Sequence, residues 1–258
     1  MSRGFSLLVV GGLAVTGACF FPDVSTLSGD SGGPSDAQTS ESAPDASTTP
    51  SPCTASHTFC DDFDEPSLGT LWSGQQTPSG TLAFSTSAVT PPHSLQATVL
   101  ADTNDNGAFL YERFTNVTRL HVELDAMVVA ALPTANSQVD LVDIEVTPPS
   151  GGTFAVVDLQ RWQDGSALEQ YVAFADGGSS DQSPDFAETF SSWRHVALDV
   201  DFGAETFVAT IDGTVAQTID FTPSLPQGDV QVDVGVPYAE SLSGDWQVFV
   251  DDVAIDVE

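Results

Sequence analysis

The sequence predicts an all-β domain built as a two-sheet antiparallel sandwich, and three observations support this prediction. In residues 59–258, apolar side chains recur at every second position over short runs, which is typical of half-buried strands. This part shows no long run with the 3.6-residue period of an amphipathic helix. About a dozen strands in a domain of ~200 residues, rich in Val, Thr and Phe, fit a sandwich better than a small barrel.

The predicted strands are bounded by residues that favour turns. Asp212 and Gly213 join two strands as a tight hairpin, because both residue types tolerate the positive φ angles of such turns. The Pro- and Gly-rich residues 148–152 join two more. In chain order, the predicted strands are residues 82–87, 94–100, 108–114, 119–130, 139–146, 154–162, 169–175, 194–202, 206–211, 214–221, 230–236 and 246–257.

A signal peptide and a lipid anchor are predicted before this domain. In residues 1–18, Arg3 precedes an apolar run that is shorter than the about 20 residues that a membrane-spanning helix needs. The small residues before Cys19 resemble a lipobox, in which the cysteine receives a diacylglyceryl group, so Cys19 is the expected lipidation site. Thr16 departs from the usual leucine, which leaves ordinary cleavage after Ala18 as the alternative.

A disordered linker is predicted between the anchor and the domain. Residues 23–52 consist mostly of Ser, Thr, Pro, Gly, Ala and Asp, with no aromatic residue. Such a segment cannot bury enough apolar area to offset the entropy lost on ordering. We therefore expect residues 19–52 to be the lipidated cysteine and its linker, and residues 53–258 to be the folded domain.

The chain is strongly acidic, with 37 acidic residues against five basic ones and a formal net charge of −32. A field of that sign repels phosphate backbones and anionic lipid surfaces. Nucleic acid is therefore not an expected partner, and contact with a membrane is expected through the lipid anchor alone. Solubility or tolerance of salt explains the acidity better than a specific role for cations does.

Cys53 and Cys60 are the two cysteines that follow the anchor. An oxidising compartment beyond the export step allows them to form a disulfide. The alternative is a metal site, but two thiols with only His57 nearby make an incomplete zinc cage.

Several segments of the domain carry a family resemblance. They are Phe59-Cys60-Asp61-Asp62-Phe63 with Trp72 soon after it, residues 192–200 with the pattern Trp-x-His-Val, residues 209–213 ending in Asp-Gly, and residues 246–255. Together they resemble the concanavalin A-like lectin/glucanase family, and in particular its laminin-G-like members. The resemblance implies a jelly-roll form of the sandwich and a carbohydrate ligand, although a fold is no warrant for a particular chemistry.

Two segments approach the catalytic pattern of glycoside hydrolases with this fold. That pattern is Glu-x-Asp-x-Glu or Glu-x-Asp-x-x-Glu, since retaining cleavage needs a nucleophile and an acid about 5 Å apart. Glu123 and Asp125 lack the second glutamate, whereas Asp143 and Glu145 have Leu141 where the nucleophile belongs. One carboxylate cannot fill both roles. No catalytic residue is therefore predicted, and these acids are expected on the solvent faces of strands.

A structural calcium ion is the expected cofactor, with two candidate positions. Asp102, Asn104 and Asn106 match the opening of a calcium loop, because hard cations need several oxygens around a tight turn. A polar hairpin turn is the alternative. Asp62 and Asp252 are the second candidate. They belong to acidic pairs at the two ends of the domain sequence, and these pairs come close together if the first and last strands are neighbours. Like charges at such short distances need a cation or protons between them. Ordinary solvation of turns is the alternative there.

Ligand contacts are predicted around Trp162, because an aromatic face covers the C–H face of a sugar while nearby polar groups bind its hydroxyls. Trp162 follows Gln160 and Arg161 on one predicted strand, and Tyr171 lies on the next. The alternative is packing at the rim of the sheet, which is the more frequent use of such an aromatic residue.

The sequence thus favours a non-catalytic carbohydrate- or glycan-binding module over an enzyme. We expect it to be exported and lipid-anchored in the bacterial outer membrane or at the cell surface. A monomer is expected, with a glycan or envelope polymer as its partner, and a neutral one because the net charge repels polyanions. Two alternatives stay open: a structural or adhesive envelope lipoprotein without a small ligand, and a divergent glycan-active hydrolase or lyase.

Overall fold

The computed structural model describes residues 51–100, 106–130, 138–147, 154–162, 165–174, 176–225, 227–240 and 245–258. They belong to one compact unit, Ala46–Glu258. The predicted signal peptide, Cys19 and most of the linker lie outside the described residues, as do Asp102, Asn104 and the side chain of Asn106. Within the described ranges, no helix has the length and apolar character needed to cross a membrane.

The described residues form one 3₁₀ turn, Pro52–Thr54, and sixteen strands. In chain order the strands are β1 (Phe59–Asp61), β2 (Gly74–Gln76), β3 (Gly80–Ser85), β4 (Ser94–Val99), β5 (Asn106–Val117), β6 (Arg119–Ala130), β7 (Gln138–Thr147), β8 (Phe154–Trp162), β9 (Ser166–Ala173), β10 (Ser179–Gln182), β11 (Asp185–Phe186), β12 (Arg194–Asp201), β13 (Thr206–Ile211), β14 (Thr214–Asp220), β15 (Gly228–Ala239) and β16 (Trp246–Val257).

The strands form two antiparallel sheets. Sheet 1 has the order β14-β13-β12-β6-β16-β4-β3, and β1 also pairs with β16. Sheet 2 has the order β10-β9-β8-β7-β15-β5-β2, and β11 also pairs with β9. Strands far apart in the sequence are neighbours in both sheets, since β16 lies between β6 and β4 and β15 lies between β7 and β5. The predicted two-sheet antiparallel jelly-roll sandwich is confirmed.

Alternation of side chains along each strand builds the core between the sheets. In β6, Val122, Leu124 and Ala126 are fully buried, while the residues between them face outward. The same holds in β15, where Val230, Val232, Val234 and Val236 are buried. Removing these apolar side chains from water is the main force that holds the two sheets together.

Four short strands, β1, β2, β10 and β11, were not predicted from the sequence. Each has two to four residues, which is too few to show a period of two. Strands β5 and β15 also extend beyond their predicted ends. Their pairing shifts register between Gly228 and Val230 and between Val236 and Ala239, and such bulges interrupt the alternation that sequence reasoning follows.

Cys53 and Cys60 form a disulfide with an S–S distance of 2.03 Å. This is the pairing expected from the sequence. The bond joins the 3₁₀ turn to β1, the strand that lies along β16 at the other end of the domain sequence.

Candidate functional site

The outer face of sheet 2 brings together acidic side chains from four neighbouring strands. Asp233 of β15 lies opposite Asp143 of β7. Asp143 in turn lies opposite Asp158 of β8, and Asp158 lies opposite Glu169 of β9. Residues directly opposite each other in a ladder share a face. This set, here called the acidic row, faces away from the core, because the residues that alternate with it are buried apolar ones: Val142, Ile144, Val157, Leu159, Leu168, Val232 and Val234.

A β-bulge adds another carboxylate to this face. The pairing of β7 with β8 passes from Asp140–Gln160 to Val142–Leu159, so Leu141 is an extra residue in β7. Asp140 and Asp143 are three positions apart, and in a regular strand they would point to opposite faces. The bulge puts both on the outer face. The alignment with the hydrolase pattern predicts that Leu141 shares a face with Asp143 and Glu145. The structure corrects this, because Leu141 is the bulged residue and is fully buried.

Asp140, Asp143 and Asp158 form what we call the aspartate cluster. One carboxylate oxygen of each residue lies within 4.8 Å of the corresponding oxygens of the other two. Asp140 is 5% exposed and Asp158 is 3% exposed. The Oδ1 atoms of all three residues are buried and have no hydrogen-bond partner. Buried polar atoms without a partner are rare in native proteins, so this arrangement needs a physical explanation.

Burial raises the pKa of each carboxyl in the aspartate cluster well above its ordinary value. Neighbouring carboxylates raise these pKa values further, and Glu169 does so for all three residues. Burial also raises the pKa of Asp233 to about 8, and the charge of Glu145 adds to this. Several carboxyls of this face therefore resist ionisation at neutral pH unless a cation compensates their charge.

One guanidinium lies beside this acidic face. The Nε of Arg113 donates a hydrogen bond to Gln231 Oε1 at 2.8 Å, and Gln231 Nε2 donates one to Asp233 Oδ1 at 2.8 Å. The guanidinium carbon of Arg113 also lies 4.9 Å from the centre of the Tyr111 ring. Its charge lowers the pKa of Asp233 and Glu145, yet the pKa of both remains raised because burial has the larger effect.

Trp162, at the end of β8, lines an open cavity of about 550 Å³. Its indole Nε1 donates a hydrogen bond to Gln160 Oε1 at 3.0 Å, and Gln160 Nε2 donates one to Glu169 Oε2. These bonds connect the wall of the cavity to the acidic row. The other lining residues are Gly165, Ser166, Asp185, Phe186 and Ala187. A side chain at position 165 would meet the Phe186 carbonyl oxygen at 2.9 Å, so the β8–β9 turn needs glycine there.

Three of the four predicted ligand contacts share the outer face of sheet 2, but only two of them touch. Gln160 and Trp162 are hydrogen-bonded. Tyr171 is exposed and lies opposite Val156, six positions along β8 from Trp162. At about 3.3 Å per residue this places Tyr171 about 20 Å from Trp162 along the strand. A ligand must be long to contact both aromatic rings.

Arg161, the fourth predicted contact, lies on the other side of β8. It is buried, and its guanidinium donates hydrogen bonds to the carbonyl oxygens of Thr189 and Gly165, each at 2.7 Å. Arg161 thus holds the β8–β9 turn against the segment that follows β11. The structure does not place it beside Trp162 on the outer face.

The second predicted metal position lies where β1 pairs with β16, so the first and last strands are indeed neighbours. Asp61 accepts hydrogen bonds from Phe63 N at 2.7 Å and from Trp72 Nε1 at 2.5 Å. Asp251 accepts them from Val89 N at 2.7 Å and Thr90 N at 3.0 Å. These donors supply part of the compensation that a cation would otherwise supply.

Asp62 and Asp252, the two residues proposed there as metal ligands, each have a hydroxyl partner. Ser51 Oγ donates to Asp62 at 3.1 Å, and Thr90 Oγ1 donates to Asp252 at 2.9 Å. Burial raises the pKa of Asp252 to about 6, and the charges of Asp125 and Asp62 contribute to this. A cation at this position stays a prediction.

The other hydrolase-like segment lies on the outer face of sheet 1. There His121 Nε2 lies 2.9 Å from a Glu123 oxygen and His121 Nδ1 lies 2.7 Å from an Asp199 oxygen. His195 Nδ1 lies 3.4 Å from an oxygen of Asp125. These acids are partly exposed and paired with histidines, as expected of carboxylates on a solvent-facing strand surface.

Comparison with known proteins supports the fold assignment. No protein-family model matches the sequence, and no curated protein matches it. Among solved structures, the cellulose induced protein Cip1 is similar with a TM-score of 0.55 at 15% identity, over 76% of this chain and 96% of that one. A variant of alginate lyase A1-II′ is similar with a TM-score of 0.51 at 14% identity, over 72% of this chain and 94% of that one.

A β-glucanase of Bacillus licheniformis has a TM-score of 0.47 at 12% identity, over 78% of this chain and 98% of that one. Similarity at sequence identities this low indicates a shared fold and does not indicate a shared activity. The likeness to Cip1 and to the alginate lyase variant supports the fold of this domain. The domain has the concanavalin A-like jelly-roll fold.

Proposed function

We propose that this domain binds a neutral polysaccharide on the outer face of sheet 2, and that a lipid on Cys19 displays it on the cell envelope. The observation that carries the proposal is the open cavity of about 550 Å³ beside Trp162, whose indole nitrogen is held by Gln160. An alginate lyase with the same fold supports a carbohydrate as the ligand class.

The chemistry of this cavity suits a sugar. An indole ring offers an apolar face for the C–H groups of a pyranose, and its hydrogen bond to Gln160 limits the rotamer freedom that would be lost on binding. Asp185 in the wall offers carboxylate oxygen atoms for hydroxyl groups. A chain with a net charge of −32 repels polyanions, so neutral polymers are the favoured ligands.

Calorimetry with a panel of soluble polysaccharides tests the proposal. We expect mixed-linkage β-glucan, glucomannan or arabinoxylan to bind, and alginate, a polyanion, not to bind. Trp162→Ala should weaken binding by about tenfold or more, because loss of a stacking aromatic residue costs about 1–3 kcal/mol. If none of the neutral polymers binds, the proposal is wrong.

Phe154→Ala is the matched control for Trp162→Ala. Phe154 is a 43% exposed aromatic residue on the same strand and the same face, eight positions away. We expect this variant to bind as the parent does and to keep its thermal unfolding midpoint. An equal loss of affinity in both variants would mean that the cavity at Trp162 is not the binding site.

A glycoside hydrolase is the second candidate, and the bulge at Leu141 favours it specifically. The bulge places Asp140 on the face that carries Asp143 and Asp158, so carboxylates stand close enough to act as acid and nucleophile. Release of new reducing ends from a bound polysaccharide, abolished by Asp143→Asn, would replace the binding proposal with this one.

A further inference from the structure

The carboxylates of the aspartate cluster are not fully hydrogen-bonded by the rest of the protein. Its three carboxylates each present a buried oxygen that accepts no hydrogen bond, and the candidate ligand oxygens lie within 4.8 Å of one another. Two oxygens that bind one calcium ion at 2.3–2.6 Å lie at most about 4.6–5.2 Å apart. The spacing in the cluster therefore fits oxygens that share one ion.

The surrounding charges do not compensate the cluster. The charges with the largest effects on the pKa of Asp143 are those of Asp140, Asp233, Glu145 and Glu169, all of which are acidic. Those with the largest effects on the pKa of Asp158 are Asp140, Asp143 and Glu169, and a hydrogen bond with Gln160 opposes them. Arg113, the described arginine on this face, lowers the pKa of Glu145 and Asp233. It belongs to β5, which lies beyond β15 and β7 from the strand of Asp158. Like charges directly opposite each other in a sheet destabilise it.

We propose that Asp140, Asp143 and Asp158 bind a divalent cation, and that this cation is calcium. Carboxylate oxygens are hard ligands, and the cluster contains neither histidine nor cysteine, so zinc and copper are poor matches. Calcium accepts irregular sets of six to eight oxygens, whereas magnesium needs a near-ideal octahedron. Three side chains from two strands, with water in the remaining positions, suit the larger ion.

This inference does not depend on the proposed sugar ligand. A cation here would stabilise the sheet between β7 and β8 and would keep the three carboxylates ionised at neutral pH. It would also make them poor candidates for the acid and nucleophile of a hydrolase, since a carboxylate held by an ion is not free to exchange a proton.

Calcium binding to the purified, chelator-treated protein tests the proposal by calorimetry at pH 7.5. We expect Asp143→Asn and Asp158→Asn each to weaken the binding of one calcium ion at least tenfold. Calcium should raise the thermal unfolding midpoint of the parent by several degrees and that of these variants by less. Magnesium at the same concentration should have a smaller effect.

Two matched controls locate the ion. Asp181→Asn removes one exposed carboxylate from β10 in the same sheet and should leave calcium binding unchanged. Asp62→Asn probes the separate acidic group near the β1–β16 pair and should also leave this calcium in place. If the cluster variants bind calcium as the parent does, the three carboxylates share protons instead and the proposal is wrong. Loss of all calcium in Asp62→Asn alone would overturn it as well.

Discussion

Asp143 and Asp158 lie opposite each other on β7 and β8, and each has a buried carboxylate oxygen without a hydrogen-bond partner. Such a pair costs stability, because each ionised group raises the free energy of the other and one oxygen of each is shielded from water. Sites where clustered like charges lower the stability of the fold are often functional. The pair also makes the cation-free protein sensitive to substitution and to pH.

The first prediction concerns Asp158→Asn in the presence of a chelator at pH 8. We expect the variant to be more stable than the parent by about 1 kcal/mol or more, since the amide keeps the shape of the carboxylate and removes one like charge. Urea unfolding followed by fluorescence measures the difference. Asp181→Asn, an exposed equivalent, should change the free energy of unfolding by less than about 0.5 kcal/mol. A less stable Asp158→Asn under these conditions would contradict the prediction.

The second prediction is that the cation-free protein loses stability as the pH rises from 5 to 8. Burial raises the pKa of Asp233 from 3.8 to about 8 and that of Asp251 to about 7. Between the ordinary pKa and the raised one, the folded state holds protons that the unfolded chain has released, so stability falls with rising pH. The pKa of His121 is raised by Glu123 and Asp199, and its contribution is lost in the same direction.

Thermal unfolding in chelator at pH 5, 6.5 and 8 measures this dependence. Asp233→Asn should flatten it most strongly between pH 5 and about 7, where the folded protein keeps the Asp233 proton that the unfolded chain has released. Added calcium should stabilise the protein more at pH 8 than at pH 5, because protons and the cation compete for the same oxygens. A stability that increases steadily with pH in chelator would show that these carboxyls are ionised in the folded protein.

The third prediction concerns the Cys53–Cys60 disulfide. Replacing both residues by serine should lower the free energy of unfolding by about 2 kcal/mol, because the bond closes only a short loop in the unfolded chain. The variant should still fold, since the strands of both sheets lie outside that loop except for the start of β1. Denaturant unfolding provides the measurement, and mass spectrometry of the unreduced digest of the parent should show the two cysteines linked.

The fourth prediction tests the anchor. Cys19→Ser should release the protein from the membrane fraction into the soluble one, because the lipid is the expected membrane contact of a chain with this charge. Fractionation followed by immunodetection measures the distribution. A variant that remains in the membrane fraction would mean that another part of the molecule holds it there.

Much of the fold could be predicted from local patterns in the sequence. The period-two alternation of β6 and β12 and the Asp212-Gly213 turn are properties of short segments, and these strands appear where expected. The position of Trp162 at a strand end beside a turn was likewise predictable, because Asp164-Gly165 marks that turn in the sequence. Tyr171 was placed on the right strand, but its distance from Trp162 depends on the pairing of β8 with β9.

By itself, the sequence determined the alternation of buried and exposed positions, and with it the strands and the two-sheet sandwich. The tertiary structure alone decided which acids meet. Asp143 and Asp233 are opposite each other because β7 and β15 pair, although many strands separate them along the chain. Asp140 joins them only because Leu141 forms a bulge, which depends on the register of two strands and leaves no mark in the residue pattern.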